Sequence, residues 1–486
     1  MRVPVIRKKV NFLPDSSRVI ARYFMNGDDA TKDMLALVFA MSEHEVQTAL
    51  DQTLREFAYR HRNITQLFKK HFNNARHLVE QMPIVFDKIS NARKLLIGAY
   101  LTMEYSIEST AFFNPSIVPD SDQTYLEEGE LRVILSFRAT GEGHISSIVF
   151  RRGILDKNND LHLMAIGKSM DIAEISHKKL YHKGRFVEKM DEMEIPKKYS
   201  NLVVESLPEH FEYSALKGIV DSTLNDETIS TGKRLSFEEI RWLVNSYYDI
   251  EFQHDTDISE RVIFPISASE SNGIEDARFV HFTDDDGSVT FYATYTAYNG
   301  HVILPKFLST EDFCTFRIMP FHGKGAMGKN LALFPKRING KYAMLSRIDG
   351  INNYIMFSER NTLWKEPILL QKPKYPWEFS KVGNCGSPLW TEQGWLIITH
   401  GVGPMRRYCI GAALYDLLDP TKEIGRLKEP LLMPLEIERE GYVPNVVYSC
   451  GSVIHNNQLI LPYAVSDYST TYAVVDMPAL FEALKN

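Results

Sequence analysis

The chain has 486 residues, 44% of them hydrophobic and 24% charged, with a formal net charge of −7 at pH 7. Such a length builds one large domain plus a smaller one, or two or three ordinary domains, and the composition is that of a chain with a full core. The acidic balance argues against non-specific nucleic-acid binding, which needs a basic face to displace counterions.

Residues 1–113 read as an α-helical N-terminal region. Ser42 and Glu45 form a capping box, after which Val46, Leu50, Leu54 and Phe57 lie on one helical stripe. A second stripe runs through Ile64, Leu67, Phe68, Phe72, Ala75, Leu78 and Val79. A third helical segment, from Ala92 to Phe113, is apolar on more than one side, as a helix buried against a body would be. The region reads either as a packed decoration or as an oligomerisation or substrate-lid element: the stripes offer more apolar surface than short helices hide from one another, and the cover is expected to be the chain's own propeller or a second subunit of a homo-oligomer.

From Asn114 onward short strands with turn signals predominate, and residues 114–486 read as one β domain. A helical insertion is expected over about 195–252, with a second capping box at Ser236 and Glu239 leading into IRWLVNSYY.

The β region repeats one plan five times. A small or polar residue opens an apolar stretch, a turn follows, and a second strand ends in a polar residue. The openings are Asn114, Asp276, Asn330, Gly383 and Asn445, and the second strands end at Arg138, Thr296, Arg347, His400 and Asp467. The turns EEGE, DDDGS, INGK, TEQGW and HNNQ between them carry hairpin chemistry. A spacing somewhat above the roughly 40–50 residues of common propeller repeats predicts a five-bladed β-propeller. Its inner strands converge on one axis, which gathers the polar strand ends at one mouth.

That convergence would bring Asp276, beside Glu275, together with Arg138, Arg347, Lys381, His400 and Asp467. Singly, each has a plainer reading: an Asp at a strand start is usually a turn residue, an Arg usually a solvated ion-pair partner, and a His in an apolar strand a satisfied core residue. Together, one carboxylate amid cations suits acid catalysis beside an anion. Inverting glycoside cleavage needs an acid for the leaving oxygen and a nucleophile on the opposite face. If phosphate is that nucleophile, the protein supplies cations there, since Arg offers paired donors and Lys a point charge.

Other motifs carry less. The Gly- and Lys-rich FHGKGAMGKN, from Phe321, precedes a strand and so lacks the helix N-terminus of a phosphate loop; it reads as a mobile loop at the mouth. Asp284–Asp286 is a turn and not a calcium site. Cys314, Cys385, Cys409 and Cys450 form no C-x-x-C pair and read as reduced core residues. No apolar stretch resembles a signal peptide or a membrane span, so a cytoplasmic location is expected.

Several strings point to a family. GIEDARFV, KNLALFPKRINGKYAMLSR, KVGNCGSPLWTEQGWLIITHGV, IGAALYDLLDP and YVPNVVYSCG resemble glycoside hydrolase family 130, which contains β-mannoside phosphorylases and β-1,2-mannosidases. The resemblance runs from about Asn114 to the C-terminus, outside the insertion. It implies a five-bladed propeller, inversion at the anomeric carbon, no metal, and inorganic phosphate as co-substrate of a phosphorylase. The general acid would be Asp276, its proton travelling through a sugar hydroxyl. Phosphate contacts would fall on Arg138, Lys381, His400 and Tyr408, and sugar contacts on Asn114, Lys329, Asn330, Arg347 and Asp467.

The sequence departs from that pattern at Ser147, where phosphorylases of the family usually carry a further Arg; Arg151 and Arg152 lie close by in sequence, and Arg406–Arg407 in GPMRRY are the other candidates to compensate, Arg407 being taken as a phosphate contact. The N-terminal helices and the insertion also lie outside the family pattern. The expected activity is phosphorolysis of a mannose-containing oligosaccharide to α-mannose 1-phosphate, with no nucleic-acid or membrane partner. The alternatives are hydrolysis, with Glu142 or Glu378 as base, and a non-catalytic sugar-binding propeller.

Overall fold

The computed structural model describes residues 3–83, 85–176, 180–300 and 303–485. The fold is mostly β with helices added. Among the described residues five larger sheets, antiparallel but for the pairing of Arg261–Ile263 with Asp171–Ile172 in the first, have their leading strands in chain order. The first starts with Ala111–Pro119, Leu131–Thr140 and Ser146–Leu155, and the second with Ile274–Thr283 and Val289–Tyr298. The third starts with Lys329–Leu333 and Tyr342–Arg347, the fourth with Lys381–Asn384 and Gly394–Val402, and the fifth with Val447–Tyr448 and Gln458–Val465. Alternating apolar residues on these strands bury into cores shared between neighbouring sheets: Phe112, Val149, Ile460 and Val474, from the first and fifth, belong to one.

The fifth sheet joins the two ends of the chain. Val5–Arg7 pairs antiparallel with Ser469–Asp476, the sheet's third strand. The N-terminal region is therefore not helical throughout. The helix expected from Ala92 to Phe113 occupies only Asn91–Tyr100, after which Thr102–Ser106 pairs with Val19–Tyr23. The β-branched and aromatic residues of those two strands favour the ladder, and the apparent apolar excess of the segment comes from a helix and strands burying different faces.

The capping box at Ser42 and Glu45 forms as expected on the helix Glu43–Phe57. The two stripes do not wait for a second subunit. Val46, Phe72, Leu78 and Val79 pack with Leu96 and Ile97 of the helix Asn91–Tyr100, while Ile64 and Phe68 close over Ala21. The chain's own helices and strands cover them, and they give no reason for an oligomer.

The insertion begins earlier than expected. Helices Lys183–Glu192, Lys197–Val204, Tyr213–Leu224 and Thr231–Asn245 share their own core. The capping box at Ser236 is overturned, because Ser236 sits inside the last helix and Ser230 caps it by accepting from the Lys233 amide. Beyond that helix Tyr248–Glu251 joins the edge of the second sheet against Thr315–Pro320. The Gly-rich segment after Phe321 is tied down: His322 N donates to Thr362 O (2.8 Å) and Trp364 N to His322 O (2.8 Å). All four cysteines are buried thiols. No helix among the described residues is long and apolar enough to cross a membrane.

Phe72 is 1% exposed, so Phe72→Ala should cost about 3–5 kcal/mol, the range for an aromatic cavity, in urea denaturation of the whole chain. A loss below about 1 kcal/mol would contradict the packing of this region.

Candidate functional site

Four of the five repeat openings hold a left-handed backbone. Asn114, Asp276, Asn330 and Asn445 have φ of 50°, 54°, 66° and 63°, a conformation that Asn and Asp adopt more readily than other side-chain-bearing residues. The ladder slips at three of them, between Phe113 and Ser116, Glu275 and Arg278, and Lys329 and Ala332. Such bulges re-aim side chains. In each case the residue before the bulge faces the end of the second strand: Phe113 opposite Arg138, Glu275 opposite Thr296, Lys329 opposite Arg347.

By that register the fourth opening is Asn384 and not Gly383, because Gly383 lies opposite His400. Asn384 is wholly buried, and its Nδ2 donates to Asn330 O at 2.7 Å, fastening the third sheet to the fourth. Gly383 serves a different need. A Cβ there would stand 2.6 Å from the His400 ring and 3.3 Å from Arg347 Nη1, so only glycine lets those groups meet.

The Asp276 carboxylate accepts from Asn114 Nδ2 at 2.6 Å and lies 3.6 Å from Arg138 Nη1. Arg138 Nη2 also donates to Glu275 at 3.0 Å, and Lys329 Nζ reaches the other Glu275 oxygen at 2.8 Å. Burial pushes the Asp276 carboxyl up, but Arg138, Arg278 and Lys329, with the Asn114 hydrogen bond, outweigh it and hold the group below the usual range. Asp467 goes the other way: burial and the neighbouring Asp276 push it up to about 6. The two carboxyls are thus held in different protonation ranges.

Arg278 and Tyr448 complete the floor. Arg278 is 2% exposed, and its Nη2 donates to the Tyr448 hydroxyl at 2.5 Å. The same oxygen accepts from Asn330 Nδ2 at 2.8 Å. Arg347 Nη1 lies 2.9 Å from His400 Nε2, and His400 Nδ1 lies 3.1 Å from Asn384 O. A carbonyl only accepts, so Nδ1 carries the ring proton and Nε2 takes the Arg347 donor. Burial and the cations Arg347, Arg278 and Lys381 keep the imidazole neutral. In this arrangement His400 has no ring N–H left for an anion; it orients Arg347.

Lys381 Nζ lies 6.0 Å from the centre of the Tyr408 ring, which stacks on His400, and Lys381 forms no ion pair among the described residues. Arg406 approaches Asp467 electrostatically at the rim, and Arg407, partly exposed, follows it into the strand Tyr408–Tyr415. Several buried atoms in this cluster have no protein partner: Asn114 Oδ1, Arg138 Nε, Arg278 Nη1, Asn330 Oδ1 and Arg347 Nε. Donors and acceptors so concentrated suit a polyhydroxylated or anionic ligand.

The other expected participants lie elsewhere. Glu378 is fully buried in an ion pair with Arg426 (2.7 Å), and its other oxygen caps Lys374 and Tyr375, so it is not available as a base. Glu142 is exposed on a 3-10 turn. Arg151 Nη2 donates to both oxygens of buried Glu108, and Arg152 pairs with Asp120 at 2.7 Å, so neither replaces the Arg absent at Ser147. Arg278, Asn384 and Tyr448 were not singled out from the sequence. An Arg inside the apolar run DARFVHF was the available sign for the first; Asn384 needed the register and Tyr448 the tertiary contact.

Residues 241–486 match the sequence model of glycoside hydrolase family 130, described as β-1,4-mannooligosaccharide phosphorylase. The chain belongs to that family. A 1,2-β-oligomannan phosphorylase from a Thermoanaerobacter species is 36% identical over 218 residues, 43% of this chain and 70% of that one. A β-1,2-mannobiose phosphorylase from Listeria innocua is 31% identical over 224 residues, 44% of this chain and 60% of that one. The solved structure of the Listeria innocua β-1,2-mannobiose phosphorylase with β-1,2-mannobiose aligns with 77% of this chain and 92% of that one, at 22% identity and a TM-score of 0.45. Asn114 and Arg138 lie outside the family match, yet they stand against Asp276.

The raised Asp467 group makes a signed prediction. A carboxyl whose folded value exceeds its unfolded one stabilises the fold fully below the unfolded value, near 3.8, and loses that contribution as pH rises through about 6. Asp467→Asn, which cannot ionise, should therefore gain stability relative to wild type between pH 4 and pH 7.5, by up to about 3 kcal/mol. A pH-independent difference in melting temperature would contradict the shift.

Proposed function

We propose that this chain cleaves β-mannosides by phosphorolysis with inversion, releasing α-mannose 1-phosphate and a shortened acceptor. The fold reading that goes with it is a five-bladed propeller, the five sheets being blades whose first strands surround the site. The observation that carries the activity is the charge pattern around Asp276. Among the described residues, Arg138, Arg278, Lys329, Arg347 and Lys381 surround a cluster whose acids are Glu275, Asp276 and Asp467. Glu275 is occupied by Arg138 and Lys329, while Arg347 and Lys381 have no acidic partner among the described residues. A phosphate dianion would satisfy those two cations.

In the reaction, a phosphate oxygen held by Arg347 and Lys381 attacks the mannosyl anomeric carbon from the face opposite the leaving oxygen. The bond to that oxygen breaks, and a proton originating on Asp276 ends on the departing hydroxyl. Before phosphate binds, Arg138, Arg278 and Lys329 hold Asp276 ionised; the incoming dianion offsets these cations and raises its proton affinity, so anion binding arms the acid. Asn114, Asn330 and Asp467 offer hydrogen bonds to mannosyl hydroxyls. A hydrolytic reading is favoured by one observation alone: Asp467, pushed up to about 6, is a carboxylate poised to activate water near neutral pH.

Asp276→Asn keeps a residue that tolerates the left-handed backbone, so it isolates the proton from the fold. It should lower kcat by about 10²–10⁴-fold with little change in mannobiose affinity; retention of more than a tenth of wild-type turnover would remove Asp276 from the acid role. At matched ionic strength, millimolar phosphate should raise the melting temperature of the wild type by ligand linkage, and Lys381→Ala should abolish the rise. An equal rise in the variant would move the anion site elsewhere.

A further inference from the structure

A second cavity, of about 230 Å³, lies where the helical insertion meets the edge of the second sheet. It is built jointly by Tyr181, Arg185 and Phe186 from the insertion, Tyr247 from its exit, and Met319 and His322 from the end of the sheet and the segment beyond it. Its walls are aromatic: the Phe186 and Tyr247 rings lie 5.6 Å apart, and Tyr181 meets Tyr247 edge-on at 6.2 Å.

Two polar groups are set into those walls without protein partners to match. His322 is 2% exposed; its Nε2 meets the Tyr247 hydroxyl at 2.6 Å, but its Nδ1 has no partner. Arg185 lies at the mouth, in the first turn of the helix Lys183–Glu192, and has no acidic partner among the described residues. Arg317, the other guanidinium lining the cavity, pairs with Asp249 at 3.0 Å, and the neighbouring Lys189 and Arg360 pair with Glu192 and Glu188. Among the described residues Arg185 is thus the lining guanidinium without an acidic partner, reinforced by a helix N-terminus, beside the aromatic walls. An apolar cavity of about 150 Å³ already holds benzene, so this one has room for a ring and a substituent.

We propose that this cavity is a binding site, separate from the Asp276 cluster, for a small ring-bearing anion: one ring against Tyr181, Phe186 and Tyr247, with a carboxylate or phosphate on Arg185 and a polar edge on His322. Because the insertion packs on the same sheet that carries Asp276, an occupant would brace that sheet from its outer edge.

Calorimetric titration tests this on the full chain, with phenyl phosphate and benzoate as probes and phenol as the uncharged control. The Lys381→Ala background removes the anion site proposed for catalysis. In that background at least one of the two anions should bind with millimolar affinity or better, phenol at least about tenfold more weakly, and Arg185→Glu should weaken the anion by about tenfold or more. Arg185 is exposed, so the substitution leaves the fold intact, and Arg185→Ala should show a smaller loss in the same direction. Absence of binding by both anions, equal binding of phenol, or indifference to both Arg185 substitutions would each overturn the proposal.

Discussion

The site depends on a backbone conformation that most side chains resist. At four repeat openings the chain turns through the left-handed region, which costs roughly 1–2 kcal/mol for an ordinary residue and less for Asn or Asp. That constraint selects short polar side chains where the first strands of the sheets break register. Conformation and chemistry therefore choose the same residues: Asp276 is able to occupy a bulge and to hold a proton, and the Asn residues at equivalent places supply neutral hydrogen bonds. Asn384, without a left-handed turn, answers the same position differently, spending its amide on joining two sheets.

A cluster of cations this close together repels itself, and the structure offsets that locally. Glu275 bridges Arg138 and Lys329, Tyr448 takes the Arg278 donor, and neutral His400 takes the Arg347 donor. Arg347 and Lys381 remain without an acidic partner among the described residues. Behind the second sheet, Glu270 accepts from Lys306, Tyr248 and Tyr295, all buried. A buried pair so fully hydrogen-bonded specifies one geometry, and Tyr295 lies next to Thr296, the residue opposite Glu275. The scaffold thereby fixes the strand against which the acid's bulge is built.

Much of this was legible in the sequence because polar residues recur at fixed places in an apolar repeat. Asn114, Asp276 and Asn330 were readable as strand openings, and Arg138, Arg347 and His400 as strand ends. What the pattern did not carry was register. Gly383 and Asn384 are adjacent and both plausible openings, and only the pairing of Gly383 with His400 separates them. Nor did it carry partners: Arg151, Arg152 and Glu378 looked available until Glu108, Asp120 and Arg426 claimed them. The apolar stripes of the N-terminal helices misled in the same way, since a stripe shows that a face is buried but not by what.

The central claim is that the unpaired cations beside Asp276 exist to hold the nucleophile. Its most direct test is nuclear magnetic resonance of the products from β-1,2- and β-1,4-mannobiose, with and without inorganic phosphate. The account predicts α-mannose 1-phosphate, formed at a rate that rises with phosphate and falls to background without it. Free mannose released at the same rate whether or not phosphate is present would contradict it.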